Sequence, residues 1–235
     1  MKIEHTFDNI TLINDDYRNH LHLLNQAHVL ITDPPYGMKY RGHGNKQKPI
    51  TGDNTTHARD ELITHWGPNK PAMIFGTWRV PKPTCRNTIA WIKTNTGPGM
   101  GALDLPWGSA WEEIYILGKG FYTPHKRQPN HTHINTYPSG SKQRPKHPTP
   151  KPVELMEWLI QHCPPDWTII DPFAGSGATL RAARNLGRTA IGLEIDPEYT
   201  QLAANLLQHD QDKDTPPCQN VNVSAAPTPQ QNQTH

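Results

Sequence analysis

Apolar residues fall along this chain in short runs that alternate with stretches whose apolar positions recur three and four residues apart. NITLIN (residues 9–14) reads as a strand, followed by a short helical stretch to Leu24 and then the strand HVLIT (28–32). HARDELITHWG (57–67) predicts a short helix stopped by Gly67-Pro68, and PAMIFG (71–76) predicts a strand. NTIAWIK (87–93) and EEIYILG (112–118) predict two more strands on either side of the glycine-rich TNTGPGMGALDLPWG. In PVELMEWLIQHC, residues Val153, Leu155, Met156, Leu159 and Ile160 share one helical face. The strand WTIIDPF, the helix ATLRAARNLG, the strand TAIGLEI and the helix PEYTQLAANLLQ complete the series, with Pro197 suited to a first helical turn. This alternation predicts an α/β fold: one domain, a mostly parallel sheet, and helices on both faces.

Composition divides the chain. Hydrophobic content is only 34%, and from Gln208 the sequence QHDQDKDTPPCQNVNVSAAPTPQQNQTH has no apolar period. The expectation is one domain over residues 1–207 and a disordered polar tail over 208–235. No apolar run approaches the ~20 residues that span a bilayer, and MKIEHTFDN lacks a signal-peptide core. Cys85, Cys163 and Cys218 form no CxxC pair, which fits a reducing, cytoplasmic setting. NHTHINT holds a His-x-His without further ligands, so no metal is expected.

The net charge of +2 says less than its distribution. Residues 119–151 carry seven Lys or Arg and no acid, and residues 37–52 carry Lys39, Arg41, Lys46 and Lys48, again without an acid. Two such segments predict a one-sided footprint for a polyanion.

Two constellations carry candidate chemistry. The strand HVLIT ends in Asp33-Pro34-Pro35-Tyr36, where two prolines stop the ladder and stiffen a carboxylate and an aromatic ring at its mouth. Further on, IIDPFAGSGATL places Gly175 and Gly177 between a strand and a helix, and Glu194 closes the following strand. That layout offers helix N-terminal N–H groups and a carboxylate for ribose hydroxyls. No Gly-Lys-Ser/Thr follows, so it is not a triphosphate loop. Leu180 replaces the third small residue of a dinucleotide site, which favours a ribose-bearing ligand without pyrophosphate, such as S-adenosylmethionine.

Together the two motifs, with LIND, IAWIKTNTGPG, EEIYILGKG, HPTPKPVELMEWLI and IGLEIDPEY, resemble the DNA amino-methyltransferases that act on adenine N6 or cytosine N4. The order, catalytic motif first and cofactor turn second, resembles their permuted beta group. The resemblance implies a Rossmann-like methyltransferase domain with S-adenosylmethionine as cofactor and double-stranded DNA as substrate. Asp33, Pro34, Pro35 and Tyr36 are then the catalytic residues. Asp15, Lys151, Asp171, Phe173, Gly175, Ser176, Gly177 and Glu194 are the cofactor-binding ones, with Asp15 near the adenine and Lys151 near the carboxylate. Residues 119–147 become the target-recognition insert, and Lys39, Arg41, Lys126, Arg127, Lys142 and Arg144 the DNA contacts. Adenine N6 leads because Asp opens the tetrad; cytosine N4 and a catalytically inactive DNA-binding homologue stay open. A second copy of the chain and a restriction endonuclease are the further partners such proteins admit. Of Trp91, Trp107 and Trp111, at least two are expected in the core.

Overall fold

The computed structural model describes residues 3–39, 50–95, 104, 106–122, 127–138 and 140–214. Its strands are β1 (Ile3–Phe7), β2 (Ile10–Asn14), β3 (Val29–Thr32), β4 (Ala72–Gly76), β5 (Asn87–Ile92), β6 (Trp111–Leu117), β7 (His131–His133), β8 (Ile169–Asp171) and β9 (Ala190–Glu194). A 3-10 turn (Tyr17–His20) leads into α1 (Leu21–Gln26), and α2 (His57–Trp66), α3 (Val153–Ile160), α4 (Ala178–Asn185) and α5 (Pro197–Asp214) follow. The nine strands form one sheet in the order β1-β2-β9-β8-β3-β4-β6-β5-β7. From β2 to β4 every neighbouring pair is parallel; β1 and β6 run against their neighbours, and β7 pairs in parallel with β5.

The central strands are apolar throughout because both faces of the sheet are covered. In β3, Val29 and Ile31 join the core under α3, α4 and α5, whereas Leu30 points to the core under α1 and α2. β4 divides the same way, Met73 and Phe75 against Ala72 and Ile74. The apolar stripe of α3 is buried as its spacing required, with Leu155, Met156, Leu159 and Ile160 all at 1% exposure or less.

Topology then fixes where a ligand can sit. β8 lies beside β9, reached through α4 on one face, and beside β3, whose chain continues through α2 on the other. Where the chain paths part in this way, the loops at the carboxyl ends of β8 and β3 leave a crevice.

Three expectations need correcting. β1 and β7 lie at the sheet margins and are too polar to stand out as strands: IEHTF and HTH hold few apolar residues. α5 runs on to Asp214, past the expected start of the tail at Gln208. Gln and Lys are good helix formers, and the first helix breaker is Pro216. Residues 215–235 lie outside the described residues. Of the three tryptophans only Trp91 is core, at 1% exposure; Trp107 is 82% and Trp111 38% exposed.

Candidate active site

A cavity of about 240 Å³ opens at the carboxyl ends of β8, β3 and β9 and brings the two sequence constellations together. Asp33, Pro34, Pro35 and Tyr36 line it from one side; Phe173, Gly175, Ser176 and Glu194 line it from the other.

The glycine turn forms one wall of this cavity. Gly175 and Gly177 have φ of 52° and 79°, the left-handed region that a Cβ disfavours. Gly177 is the N-cap of α4, and a Cβ on it would lie 3.0 Å from that of Ala203 in α5. Glu194 locks this turn: one carboxylate oxygen accepts the Gly175 N–H at 2.8 Å and the other the Asp196 N–H at 2.8 Å. Burial raises its pKa to about 6 against those two hydrogen bonds. Each oxygen keeps a second lone pair for a ligand hydroxyl.

Asp171 lines the cavity but is 3% exposed, and both of its oxygens are engaged. One accepts from the Thr32 hydroxyl at 2.7 Å and the Phe173 N–H at 3.1 Å; the other accepts from the Thr179 hydroxyl at 2.6 Å. It ties β8 to β3 and to the start of α4, and burial raises its pKa to about 6. Asp15 lines the far end, accepting from the Asp16 N–H and the Asn19 amide, each at 2.8 Å, and contacting His20 at 2.9 Å. Hydrogen bonds from Asn19 and His20 hold its carboxyl below the usual range. The cap of the 3-10 turn is Asp16, whose side chain accepts the Arg18 N–H, so Asp15 has no capping duty there. Beside it Tyr17 meets Phe173 edge-on, ring centroids 5.5 Å apart. The buried Tyr17 hydroxyl has no hydrogen-bond partner among the described residues.

On the Asp33 side lies a buried charge cluster. Asp33 accepts the Tyr36 hydroxyl on one oxygen at 2.7 Å and the Lys151 ammonium on the other at 2.6 Å. Glu112, from β6, faces the same groups: Lys151 lies 3.2 Å from it and the Tyr36 hydroxyl 3.0 Å, and Lys93 forms a further ion pair with it. The Lys151 side chain is 6% exposed, those of Asp33 and Glu112 each 19%. Burial pulls both carboxyls up, with different outcomes. Asp33, served by Lys151 alone and facing Glu112, stays above its ordinary value. Glu112 sits between two ammoniums, which bring it down to about 2. Burial opposes the charge on Lys151, but Asp33 and Glu112 outweigh it and keep it an ammonium. Burial and the two carboxylates raise Tyr36, so its hydroxyl remains a donor.

Lys151, expected at the cofactor carboxylate, lines the cavity and bridges Asp33 and Glu112. Glu112, His147 and Asp53 were not singled out from the sequence. Asp53 is 5% exposed and latches the segment after Tyr36, accepting the N–H groups of Gly37 at 2.7 Å and Met38 at 3.2 Å. His147 packs edge-on against Tyr199, centroids 4.5 Å apart, above the Gly175 turn. Its Nδ1 accepts the Thr149 N–H at 3.3 Å, leaving the proton on Nε2; burial, then Lys151 and Arg144, push its pKa down to about 4.

The expected DNA-binding residues are more dispersed. Lys39, Arg127 and Lys142 are exposed; Arg41 and Lys126 lie outside the described residues. Arg144 is half-buried and donates to the Pro148 carbonyl at 2.8 Å, steadying the segment that presents His147. Among the described residues no group of three or more His, Cys, Asp or Glu is placed to hold a metal, and no helix is long and apolar enough to cross a membrane.

Comparison with known proteins gives the arrangement a family. A family model described as DNA methylase, for the N6 and N4 enzymes, matches residues 56–205. The Escherichia coli (strain K12) protein YubD is 29% identical over 191 residues, 74% of this chain and 79% of YubD. The type II methyltransferase M2.MboI of Moraxella bovis is 31% identical over 131 residues, half of this chain and 47% of that enzyme, so this second match spans less than half of its relative. Among solved structures, the complex of M1.HpyAVI with SAM superposes with a TM-score of 0.60 at 26% identity, covering 84% of this chain and 99% of that one. A match over residues 56–205 takes in α2 through the first half of α5, including Glu112, Lys151, the glycine turn and Glu194, and on that ground the chain belongs to the N6/N4 DNA methylase family.

Proposed function

We propose that this protein transfers the methyl group of S-adenosylmethionine to the N6 amino group of adenine in duplex DNA. Membership of the family carries the coarser statement, a DNA methyltransferase that uses S-adenosylmethionine. The reading of the site rests on a single observation: Asp33, hydrogen-bonded to Tyr36 and Lys151, shares one cavity with the Glu194-locked glycine turn.

The residues fit the cofactor. The missing Cβ of Gly175 leaves backbone open beneath His147, and Tyr17, whose buried hydroxyl has no hydrogen-bond partner among the described residues, packs on Phe173 in the cavity wall where a nucleoside would lodge. Glu194 would hold the ribose hydroxyls, and Phe173 and Ser176 line the rest of that end. The bound cofactor supplies an activated methyl on a sulfonium.

The chain's own task is to place a nucleophile in line with that methyl. An exocyclic amino group is a weak nucleophile because its lone pair is delocalised into the ring. A hydrogen bond from one N–H to Asp33 and another to the Pro34 carbonyl favour a pyramidal nitrogen with a localised lone pair. Orientation of this kind is worth about 7–11 kcal/mol in well-aligned cases. Methylation would leave a surplus proton on the nitrogen. Asp33 is the carboxylate suited to receive it, since Glu112 is held ionised by two lysines. The base must first leave the duplex stack, at a few kcal/mol, and stacking on Tyr36 returns about 1–3 kcal/mol.

Adenine is favoured over cytosine because Asp opens the tetrad. Cytosine N4 is the second reading; the PvuII cytosine-N4 enzyme shares the fold, with a TM-score of 0.60 at 15% identity. The M2.MboI likeness supports a role beside a restriction endonuclease. Incubation with duplex DNA and cofactor, followed by digestion and nucleoside mass spectrometry, is the test. N6-methyladenine is expected, and N4-methylcytosine as the sole product would overturn the choice of base.

A further inference from the structure

The segment after β4 presents an aromatic and cationic surface outside the cavity. Trp78 is 55% exposed, and the Arg79 guanidinium lies 5.4 Å from its ring centroid. Lys82 and Arg86 follow in the same loop, and no Asp or Glu occurs between Glu61 and Asp104 in the sequence.

This loop is firmly based. Thr77 is buried; its carbonyl accepts the Tyr115 hydroxyl at 3.2 Å and the Val80 N–H at 3.4 Å, and its hydroxyl accepts the Arg79 N–H at 3.4 Å. Lys82 is anchored to the buried Glu113 at 3.4 Å. Trp78 is therefore held out from a fixed stem. A large ring left in water forgoes the burial that usually stabilises tryptophan, which marks the position as one for contact.

Its place in the fold says with what. β4 runs parallel to β3, so Trp78 leaves the sheet at the same edge as Asp33 and Tyr36. Gly76, two residues earlier, pairs with Glu113, whose neighbour Glu112 contacts the Tyr36 hydroxyl. On the other side of Glu112 stands the partly exposed Trp111.

We propose that Trp78 and Arg79 form a DNA-contacting finger that stacks on a base face beside the everted nucleotide, with Arg79 near the adjoining phosphates. The inference deepens the duplex-DNA reading above and rests on it. Removing one base from the stack uncovers the faces of its neighbours, and an indole ring is a sequence-tolerant partner for such a face. An apolar protein partner would desolvate Arg79 without countercharge, whereas DNA provides both the π surface and the negative charge.

The test uses the full chain with Trp78→Ala, Trp78→Phe and Arg79→Glu, titrated with a short duplex carrying one mismatched adenine, and separately with S-adenosylmethionine. Loss of one aromatic–base stack predicts a roughly 5- to 150-fold weaker Kd for DNA in Trp78→Ala. Trp78→Phe keeps most of the affinity, Arg79→Glu flattens the salt dependence, and cofactor affinity is unchanged in all three. DNA binding by Trp78→Ala equal to wild type overturns the finger and leaves the reading of the substrate intact. Loss of cofactor affinity in that variant marks Trp78 as structural and overturns the finger too. A wild-type chain that binds cofactor but not duplex DNA defeats both readings together.

Discussion

Replacing Lys151 with methionine removes the one ammonium shared by Asp33 and Glu112 while keeping the length and apolar stem of the side chain. Lys151 is 6% exposed and sits 2.6 Å and 3.2 Å from the two carboxylates. Taking one partner from a buried ion pair costs about 3–5 kcal/mol, because the remaining charge is left without compensation. For a chain of this size each kcal/mol moves Tm by about 2–4 °C, so the variant should melt roughly 6–20 °C lower at neutral pH. The pH dependence carries the diagnosis. Asp33 already has a raised pKa through burial, and loss of Lys151 raises it further. An acid whose pKa is higher in the folded state favours folding at low pH and loses that contribution as pH rises through the folded value. The deficit should therefore shrink on acidification, as Asp33 takes up a proton, and methyl transfer should slow because Asp33 loses the ammonium that orients it. Thermal melts of both proteins between pH 4 and 8 measure this. A Tm difference that is absent, or the same at every pH, would refute the coupling of Lys151 to Asp33.

Other outcomes follow from the same geometry. Glu194 titrates at about 6, so cofactor affinity should be flat above that pH and fall below it by up to about tenfold per unit; calorimetric titration showing no change down to pH 5 would remove Glu194 from the site. Gly177→Ala places a Cβ at φ 79° and 3.0 Å from Ala203, which should destabilise by at least ~1–2 kcal/mol and weaken cofactor binding; an unchanged Tm would show the turn relaxing freely. Charge reversal at Lys126, Arg127, Lys142 and Arg144 should flatten the salt dependence of DNA binding, each lost phosphate contact contributing about 0.9 to the log–log slope. An unaltered slope would place the DNA elsewhere.

What could be read from the chain was local. Asp33-Pro34-Pro35-Tyr36 and the Gly175–Gly177 turn are contiguous, and stiff prolines or positive-φ glycines announce themselves without any partner. Glu194 was legible because one strand and one helix separate it from the turn at a spacing the geometry sets. Glu112 was not, although it stands inside a stretch that had been noticed. Whether Glu112 or its neighbour Glu113 faces the tetrad depends on the pleat of β6 and on its pairing with β4, not on either residue's own surroundings in sequence. Glu113 turns instead to the Tyr115 hydroxyl at 2.8 Å. The same holds for Lys151, whose partner Asp33 lies far away in sequence and meets it only through the sheet. Trp107 and Trp111 misled for the opposite reason: large aromatic rings usually bury, but Trp107 stands in the loop before β6 and Trp111 is that strand's first residue, and both are exposed. The resemblance placed Asp171 at the cofactor, and it does line the cavity; the hydroxyls of Thr32 and Thr179 that it accepts come from other elements, which no local stretch announces.

The central claim is that Asp33 activates an amino nitrogen delivered to it, beside a cofactor held by separate residues. Single-turnover transfer from pre-bound, methyl-labelled S-adenosylmethionine to duplex DNA tests it directly, with Asp33→Ala compared to the unaltered chain. The account predicts cofactor affinity within a few-fold of normal and transfer slower by at least about a hundredfold, the loss seen when a single group aimed at the transition state is deleted. Transfer by Asp33→Ala at the wild-type rate would contradict it.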